Sequence, residues 1–356
     1  MTSPSPRTLK FNEAIHEAID LCMAKDPTVY VLGLGVPDPK GIFGTTIGLE
    51  KKYGAARVMD MPTSENGMTG VAIGSALVGM RPVMTHQRVD FALLAMEQIV
   101  NQAAKWHYMF SGRLTVPLVI RLIVGRGWGQ GPQHSQSLQA WFAHIPGLKV
   151  VMPATPHDAK GLLVSAIEDD SPVVFIEHRW LHGTFGPCPD DIYRVPIGQA
   201  RIIRSGKDVT VAAVSHMVLE AFRAAELLAE SGIDVEIIDL RTLRPLDTAT
   251  ILSSVRKTGR LIVADTGWKT GGFAGEVVAV ATEEAFASLK AAPRRLTLLD
   301  VPTPSTPALA KFCYPRVVDI VHAAGDVMGV SRDRLKVPPE TSTPLDVPDA
   351  SFTGPF

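Results

Sequence analysis

Apolar runs of strand length recur along this chain, and they are continuous rather than alternating. Thr28–Gly35 (TVYVLGLG), Arg81–Gln87, Val116–Gly125 (VPLVIRLIVG) and Pro172–His178 (PVVFIEH) each read as strands. A strand that is apolar on both faces must be covered on both, which is the situation of a parallel sheet flanked by helices. Gly67–Gly79 and Glu97–Met109 carry helical patterns between these runs. The first is built largely of small residues (Gly70, Ala72, Gly74, Ala76), so it can lie close against a sheet. A second block repeats the alternation, with strands at Asp208–Ser215, Asp234–Leu240, Arg260–Asp265 and Arg294–Leu299. Its helices are Val218–Ser231, closed by Gly232, then Thr248–Lys257 and Gly275–Leu289. Strands alternating with helices imply parallel sheets with right-handed crossovers. The expected fold class is therefore α/β, with two parallel-sheet domains over 1–200 and 201–330 joined near Pro196–Gly206. A tail over 331–356, rich in Pro, Ser, Thr and Asp, has no period and is expected to be extended or ordered only by contact.

With 356 residues, 46% of them hydrophobic, the chain can bury a large core. Its formal net charge is −1 with both signs interspersed, which argues against nucleic-acid or membrane-surface binding. No apolar stretch approaches the roughly 20 residues of a membrane span. Met1–Lys10 lacks the apolar core of a signal peptide, so the expected location is the cytoplasm. Cys22, Cys188 and Cys313 form no CxxC pair and read as small buried hydrophobes.

Three patches carry candidate chemistry. Glu65 follows a short strand and opens the small-residue helix, where a carboxylate also simply favours the helix dipole. Gly125–Gln136 (GRGWGQGPQHSQ) is glycine-rich and follows a strand, yet matches neither phosphate-loop pattern. His134 near its end is a general acid/base candidate or a solvent-facing loop histidine. Gln87-Arg88-Val89-Asp90-Phe91 sits at a strand's carboxyl end, where open α/β sheets bind ligands. Phe91 there either stacks on a planar ring or belongs to the core.

Longer segments join these patches. Ser64-Glu65-Asn66-Gly67, QIVNQAAKWHYMFSG (98–112), GPQHSQSLQAWFAHIPGLKVVMPATPHDAKGLL (131–163) and VEIIDLRTLRPLD (235–247) resemble the beta subunits of thiamine-diphosphate-dependent 2-oxo acid dehydrogenases, the transketolase-like decarboxylating component. The resemblance runs from about Leu9 to Ala324. It implies a pyrimidine-binding domain followed by a transketolase C-terminal domain. By position, Glu65 matches the carboxylate that hydrogen-bonds the aminopyrimidine ring, Phe91 the aromatic packed on that ring, and His134 the histidine facing the substrate and the lipoyl acceptor. Gln87 lies in the same lining. A potassium ion is common in the family, and its carbonyl ligands would fall near Leu118, Ala166 and Asp169. The family holds Mg²⁺ and diphosphate with a Gly-Asp-Gly sequence that this chain lacks, Gly325-Asp326 leading only to Val327. The resemblance therefore implies a separate alpha-type chain carrying the diphosphate site, an alpha2-beta2 heterotetramer, and a lipoyl acyltransferase core as a further partner.

The chain departs from that pattern in three places. An acidic residue expected after the first strand is replaced by Gly33-Leu34-Gly35, with Asp38 further on. Arg88 takes an apolar position, where with His86 it either binds a substrate anion or makes a structural salt bridge, Asp90 being a candidate partner. Asp265-Thr266-Gly267-Trp268-Lys269 replaces an acidic pair. The implied reaction is decarboxylation of a 2-oxo acid with transfer of the acyl unit to lipoamide. One rival is the beta-type half of a split transketolase or acyloin-forming synthase that passes its carbon unit to an aldehyde. The other is a non-catalytic assembly module.

Overall fold

The computed structural model describes residues 7–127, 129–339 and 345–348. Residues up to 124 together with 141–197 form one unit, and residues 125–140 together with 198 onward form another. The Gly-rich segment after Val124 thus belongs to the second unit, although its flanks belong to the first.

Six parallel strands build the first unit: β1 (Val29–Leu32), β2 (Val58–Met59), β3 (Arg81–His86), β4 (Val119–Val124), β5 (Lys149–Val151) and β6 (Val173–His178). They lie in the order β5-β6-β4-β3-β1-β2, and β1, β4 and β6 are buried at every position. The continuous apolar runs are buried on both faces, as their composition requires. Helices α1 (Phe11–Lys25), α2 (Glu65–Leu77) and α3 (Pro156–Glu168) supply cover, α1 and α3 packing on each other. The connection after β1 runs to β2 on one side and the connection after β3 runs to β4 on the other, which opens a crevice at the carboxyl ends of β1 and β3. Gly33 ends β1 pressed so closely on β3 that a side-chain carbon there would stand 2.3 Å from the Thr85 carbonyl oxygen.

The helix expected over Glu97–Met109 is instead a π turn (Gln98–Ala103) and a short α turn (Trp106–Met109), preceded by a 3₁₀ turn (Phe91–Ala95). Glu97 accepts hydrogen bonds from the amides of Gln98 (2.7 Å) and Gln102 (3.0 Å). Gln102 in turn accepts from the Trp106 indole at 3.0 Å. The pairing of Glu97 with a residue five positions on matches the π-turn spacing, and such turns are frequent at functional sites.

In the second unit, β7 (Arg201–Arg204), β8 (Val209–Ala213), β9 (Val235–Asp239), β10 (Leu261–Trp268) and β11 (Arg294–Leu298) lie in the order β11-β10-β8-β9-β7. Only β7 runs antiparallel. Helices α4 (His216–Glu230), α5 (Thr248–Thr258), α6 (Phe273–Ala285) and α7 (Val317–Met328) surround it. The three cysteines are buried and form no disulfide. No helix among the described residues is long and apolar enough to cross a membrane.

A fully buried ion pair crosses the centre of the first sheet. Arg121 of β4 donates through Nε to Glu177 of β6 at 2.7 Å, and neither side chain is exposed. Arg121 also reaches the Thr45 hydroxyl at 3.0 Å and the Thr85 hydroxyl at 3.4 Å. The second Glu177 oxygen meets His182 Nε2 at 3.1 Å. Burial pushes Glu177 up, but Arg121 and His182 outweigh it and hold the carboxyl below its ordinary range. Burial also lowers His182 to about 4 despite Glu177.

Removing one member of a buried pair strands the other charge. Arg121→Met should cost about 3–5 kcal/mol in urea unfolding, and adding Glu177→Leu should recover most of it. If the single and double variants lose equally, the pair is not what holds these strands. The pH dependence follows from the same groups. A histidine with a folded value near 4 leaves the unfolded state binding more protons below about 6.5, so stability falls as pH drops through that window. Glu177, held low, adds a further loss as it protonates. Urea midpoints taken from pH 7 down to pH 4 should decline, by up to roughly 3 kcal/mol from His182 alone.

Candidate active site

Glu65 is the first residue of α2, a helix that returns from the carboxyl edge of the sheet. The Thr69 hydroxyl, one turn on, accepts no apolar compromise: it donates to the Glu65 carbonyl at 2.7 Å and contacts Met84 Sδ at 3.2 Å, fastening the helix to β3. The Glu65 carboxylate is 3% exposed and has no hydrogen-bond or ion-pair partner among the described residues. A buried carboxylate without a partner is costly unless a bound group completes it.

His86 ends β3 at the same edge. Both of its ring nitrogens are buried without a hydrogen-bond partner among the described residues, and burial lowers its pKa to about 4. It is therefore neutral near pH 7. Gln87 follows and donates to the Leu34 carbonyl at 2.8 Å, tying β3 to the loop after β1. Phe91 opens the 3₁₀ turn, half-buried, and that turn packs on α2. Glu65, His86, Gln87, Arg88 and Phe91 therefore share the carboxyl edge of one sheet.

Arg88 is buried, with its guanidinium 5.4 Å from the centre of the Phe43 ring. Arg179 approaches the same ring at 4.7 Å, and His182 packs on it at 5.6 Å. Burial brings Arg179 down to about 10, so it stays charged at neutral pH. Phe43 has a φ of 48°, and Asn12 holds its carbonyl at 3.0 Å. Beside it opens a cavity of about 650 Å³ whose polar lining includes Lys10, Lys40, Asp38, Gln87 and Arg179. Asp38, which follows β1 at a distance in the chain, stands in this lining near Gln87. A side chain on Gly35 (φ 74°) would meet Asp38 Oδ2 at 3.0 Å and Gln87 Nε2 at 2.8 Å. Phe43, Arg179 and His182 escaped sequence reasoning, although an aromatic between glycines in Gly41-Ile42-Phe43-Gly44 marks a special backbone.

His134 lies in the second unit, in the turn of the Gly-rich segment, and is partly exposed. Further along that segment Gln139 donates to Asp265 Oδ1 at 2.8 Å. Burial raises Asp265 to about 6, against the hydrogen bonds from Gln139 and the Gly267 and Thr266 amides. Leu118, Ala166 and Asp169 gather at the amino edge of the first sheet, opposite Glu65. The Leu118 carbonyl accepts the Val173 amide at 2.9 Å, and the Asp169 carbonyl accepts Arg81 Nη1 at 3.0 Å.

The site's residues fit the pyrimidine half of a thiamine cofactor. They supply an acceptor carboxylate without a partner, an aromatic on the same helix packing, and an amide and a neutral imidazole at one sheet edge.

Comparison with known proteins agrees. Residues 7–183 match the transketolase pyrimidine binding domain, and residues 198–320 match the transketolase C-terminal domain. The chain is 43% identical over 326 residues to the pyruvate dehydrogenase E1 component subunit beta-2 of Oryza sativa subsp. japonica, covering 90% of this chain and 87% of that one. It is 44% identical over 332 residues to the acetoin:2,6-dichlorophenolindophenol oxidoreductase subunit beta of Cupriavidus necator, covering 90% and 98%. A solved split-gene transketolase, an inactive beta4 tetramer, superposes with a TM-score of 0.76 at 25% identity, over 91% of this chain and all of that one. With relatives this similar over nearly their whole length, the chain belongs to the family of beta subunits of thiamine-diphosphate-dependent 2-oxo acid dehydrogenases.

Proposed function

We propose that this chain, paired with an alpha-type subunit, decarboxylates a 2-oxo acid and delivers the acyl unit to lipoamide on an acyltransferase core. The observation that carries the reading is the buried Glu65 carboxylate, without a partner and sharing a sheet edge with Phe91 and Gln87. Thiamine diphosphate supplies the electron sink for decarboxylation when it is bound. Glu65 accepts a hydrogen bond from the pyrimidine ring and so sets where that ring carries its proton. Phe91 stacks on the ring face, and His86, neutral at pH 7, adds no competing charge. His134 faces the substrate as a proton donor or acceptor.

This chain has no Gly-Asp-Gly sequence, so Mg²⁺ and the diphosphate fall to the alpha-type chain, in an alpha2-beta2 heterotetramer. That the split-gene transketolase is inactive as a tetramer of beta chains supports such a division. A potassium ion at the carbonyls of Leu118, Ala166 and Asp169 has a structural role in this reading, because it lies at the sheet edge away from Glu65. Arg81 already serves the Asp169 carbonyl, leaving the ion that oxygen's second lone pair.

Arg88 and Arg179 beside the Phe43 ring favour an anionic donor. A 2-oxo acid carboxylate suits such a pair of arginines, and so does the phosphorylated ketose of a split transketolase. The acetoin enzyme among the relatives keeps an acyloin substrate in view.

Two experiments test the reading. Calorimetric titration of thiamine diphosphate and Mg²⁺ should show binding to the alpha–beta pair and none to this chain alone. Tight binding to the lone chain would remove the divided-site assignment. In the assembled pair, Glu65→Gln should lower turnover by roughly 100-fold or more with assembly intact. Turnover of 2-oxo acids with lipoamide supports the dehydrogenase, whereas turnover that needs an aldehyde acceptor assigns the chain to the carbon-transfer class.

A further inference from the structure

The segment that carries His134 is closed at its neck by the Gly125 amide, which donates to the Gln136 carbonyl at 3.3 Å. Arg126 stands beside that neck and is 1% exposed. Its guanidinium bonds Asp346 Oδ2 at 2.6 Å and the Asp346 carbonyl at 3.3 Å, from a residue 220 positions away in the C-terminal tail. Its second arm donates to the Ser305 carbonyl at 2.7 Å, and its backbone amide donates to the Tyr314 hydroxyl at 3.1 Å. Asp346 is itself buried, at 2% exposure.

The tail is held in place around that contact. Arg316 donates to the carbonyls of Leu345 and Val347, both at 2.9 Å, and to the Pro348 carbonyl at 3.3 Å. Glu220 anchors Arg316 in turn at 3.2 Å. A short segment of a Pro-rich tail thus places one carboxylate under the neck of the His134 segment, with main-chain bonds fixing its position. Burying both charges is costly, and only mutual pairing with good geometry offsets it. Such a contact is hard to account for as a generic tether.

We infer that Asp346 is a positioning residue: through Arg126 the C-terminal tail fixes the neck of the Gly125–Gln136 segment and so the placement of His134. The catalytic half of this inference rests on the role assigned to His134 above. Because His134 is two residues from the neck carbonyl of Gln136, a shift at Arg126 carries over to its ring. Misplacement of a reacting group by about 1 Å can lower a rate roughly 100-fold.

The test uses the assembled alpha–beta enzyme carrying Asp346→Asn, Asp346→Glu, Arg126→Gln, the Arg126→Gln/Asp346→Asn double variant, or His134→Ala. Hydrogen exchange in the 125–138 peptide should rise about tenfold or more in Asp346→Asn. In the same variant kcat should fall roughly 10- to 100-fold, while thiamine diphosphate affinity stays within about twofold because this chain's share of that site, Glu65 and Phe91, lies in the other unit. Asp346→Glu should recover part of the loss, and the double variant should be no worse than the worse single one. Wild-type exchange in that peptide, or exchange that rises equally throughout the second unit, overturns the inference. Raised exchange with wild-type kcat also overturns it, provided that His134→Ala is impaired. Wild-type turnover in His134→Ala instead overturns the role given to His134, leaving the exchange data to judge the clasp alone.

Discussion

The Arg121–Glu177 pair organises the first unit because it is a charge that the middle of a sheet cannot otherwise hold. The two residues lie on adjacent strands, offset by one same-face step, since Arg121 is opposite Phe175. Each spare valence of the pair goes to an element that shapes the carboxyl edge. Thr45 comes from the loop after β1, Thr85 from β3 and His182 from the turn after β6. His182 and Arg179 then fix Phe43, and Phe43 forms part of the wall of the cavity that Gln87 and Asp38 share. A buried pair of this kind adds little net stability over apolar residues of the same shape. What it supplies here is a unique register among three strands and two loops.

Much of this was legible in the sequence wherever a residue's neighbours along the chain decide its conformation. Val119–Val124 and Val173–His178 had to be parallel strands because no face of either is polar enough for water. The strands and helices expected in the second unit fall within a few residues of their expected ends, β7 and α7 being unforeseen, and Gly232 follows α4 with a φ of 77°. The failures share one cause. Glu97–Met109 has helical periodicity, but its side chains bond at a spacing of five and open the helix. Arg121, read only as part of an apolar run, is explained by Glu177 and Thr45, which are 56 and 76 positions away.

The site shows the same division. Glu65, Gln87 and Phe91 were found because a long resemblance aligned them, and the fold does bring them to one edge. Asp38 could be noticed only as a residue out of place, and its return to the Gln87 neighbourhood depends on the left-handed turns at Gly35 and Gly41. The tail was expected to be ordered only by contact. Lacking a period of its own, it could not say which contact, because one aspartate against Arg126 leaves no pattern in its own neighbourhood.

Native proteins leave few buried polar atoms without partners, so the places where such atoms gather carry information. Two groups of them among the described residues bear on the chemistry proposed for this chain. The two ring nitrogens of His86 mark the carboxyl edge of the first unit, which Glu65 shares. In the second unit Ser135 Oγ, Ser137 Oγ, Gln139 Oε1, Asp265 Oδ2 and Thr266 Oγ1 mark the His134 segment and the strand behind it. An apolar replacement at any of these positions would remove a desolvation cost, so a chain folding for stability alone would not keep them. Groups of this kind on the two segments to which we propose chemistry accord with a half-site. The polar groups are positioned and desolvated in advance, and the groups that complete them come with the cofactor, the substrate and the alpha-type chain.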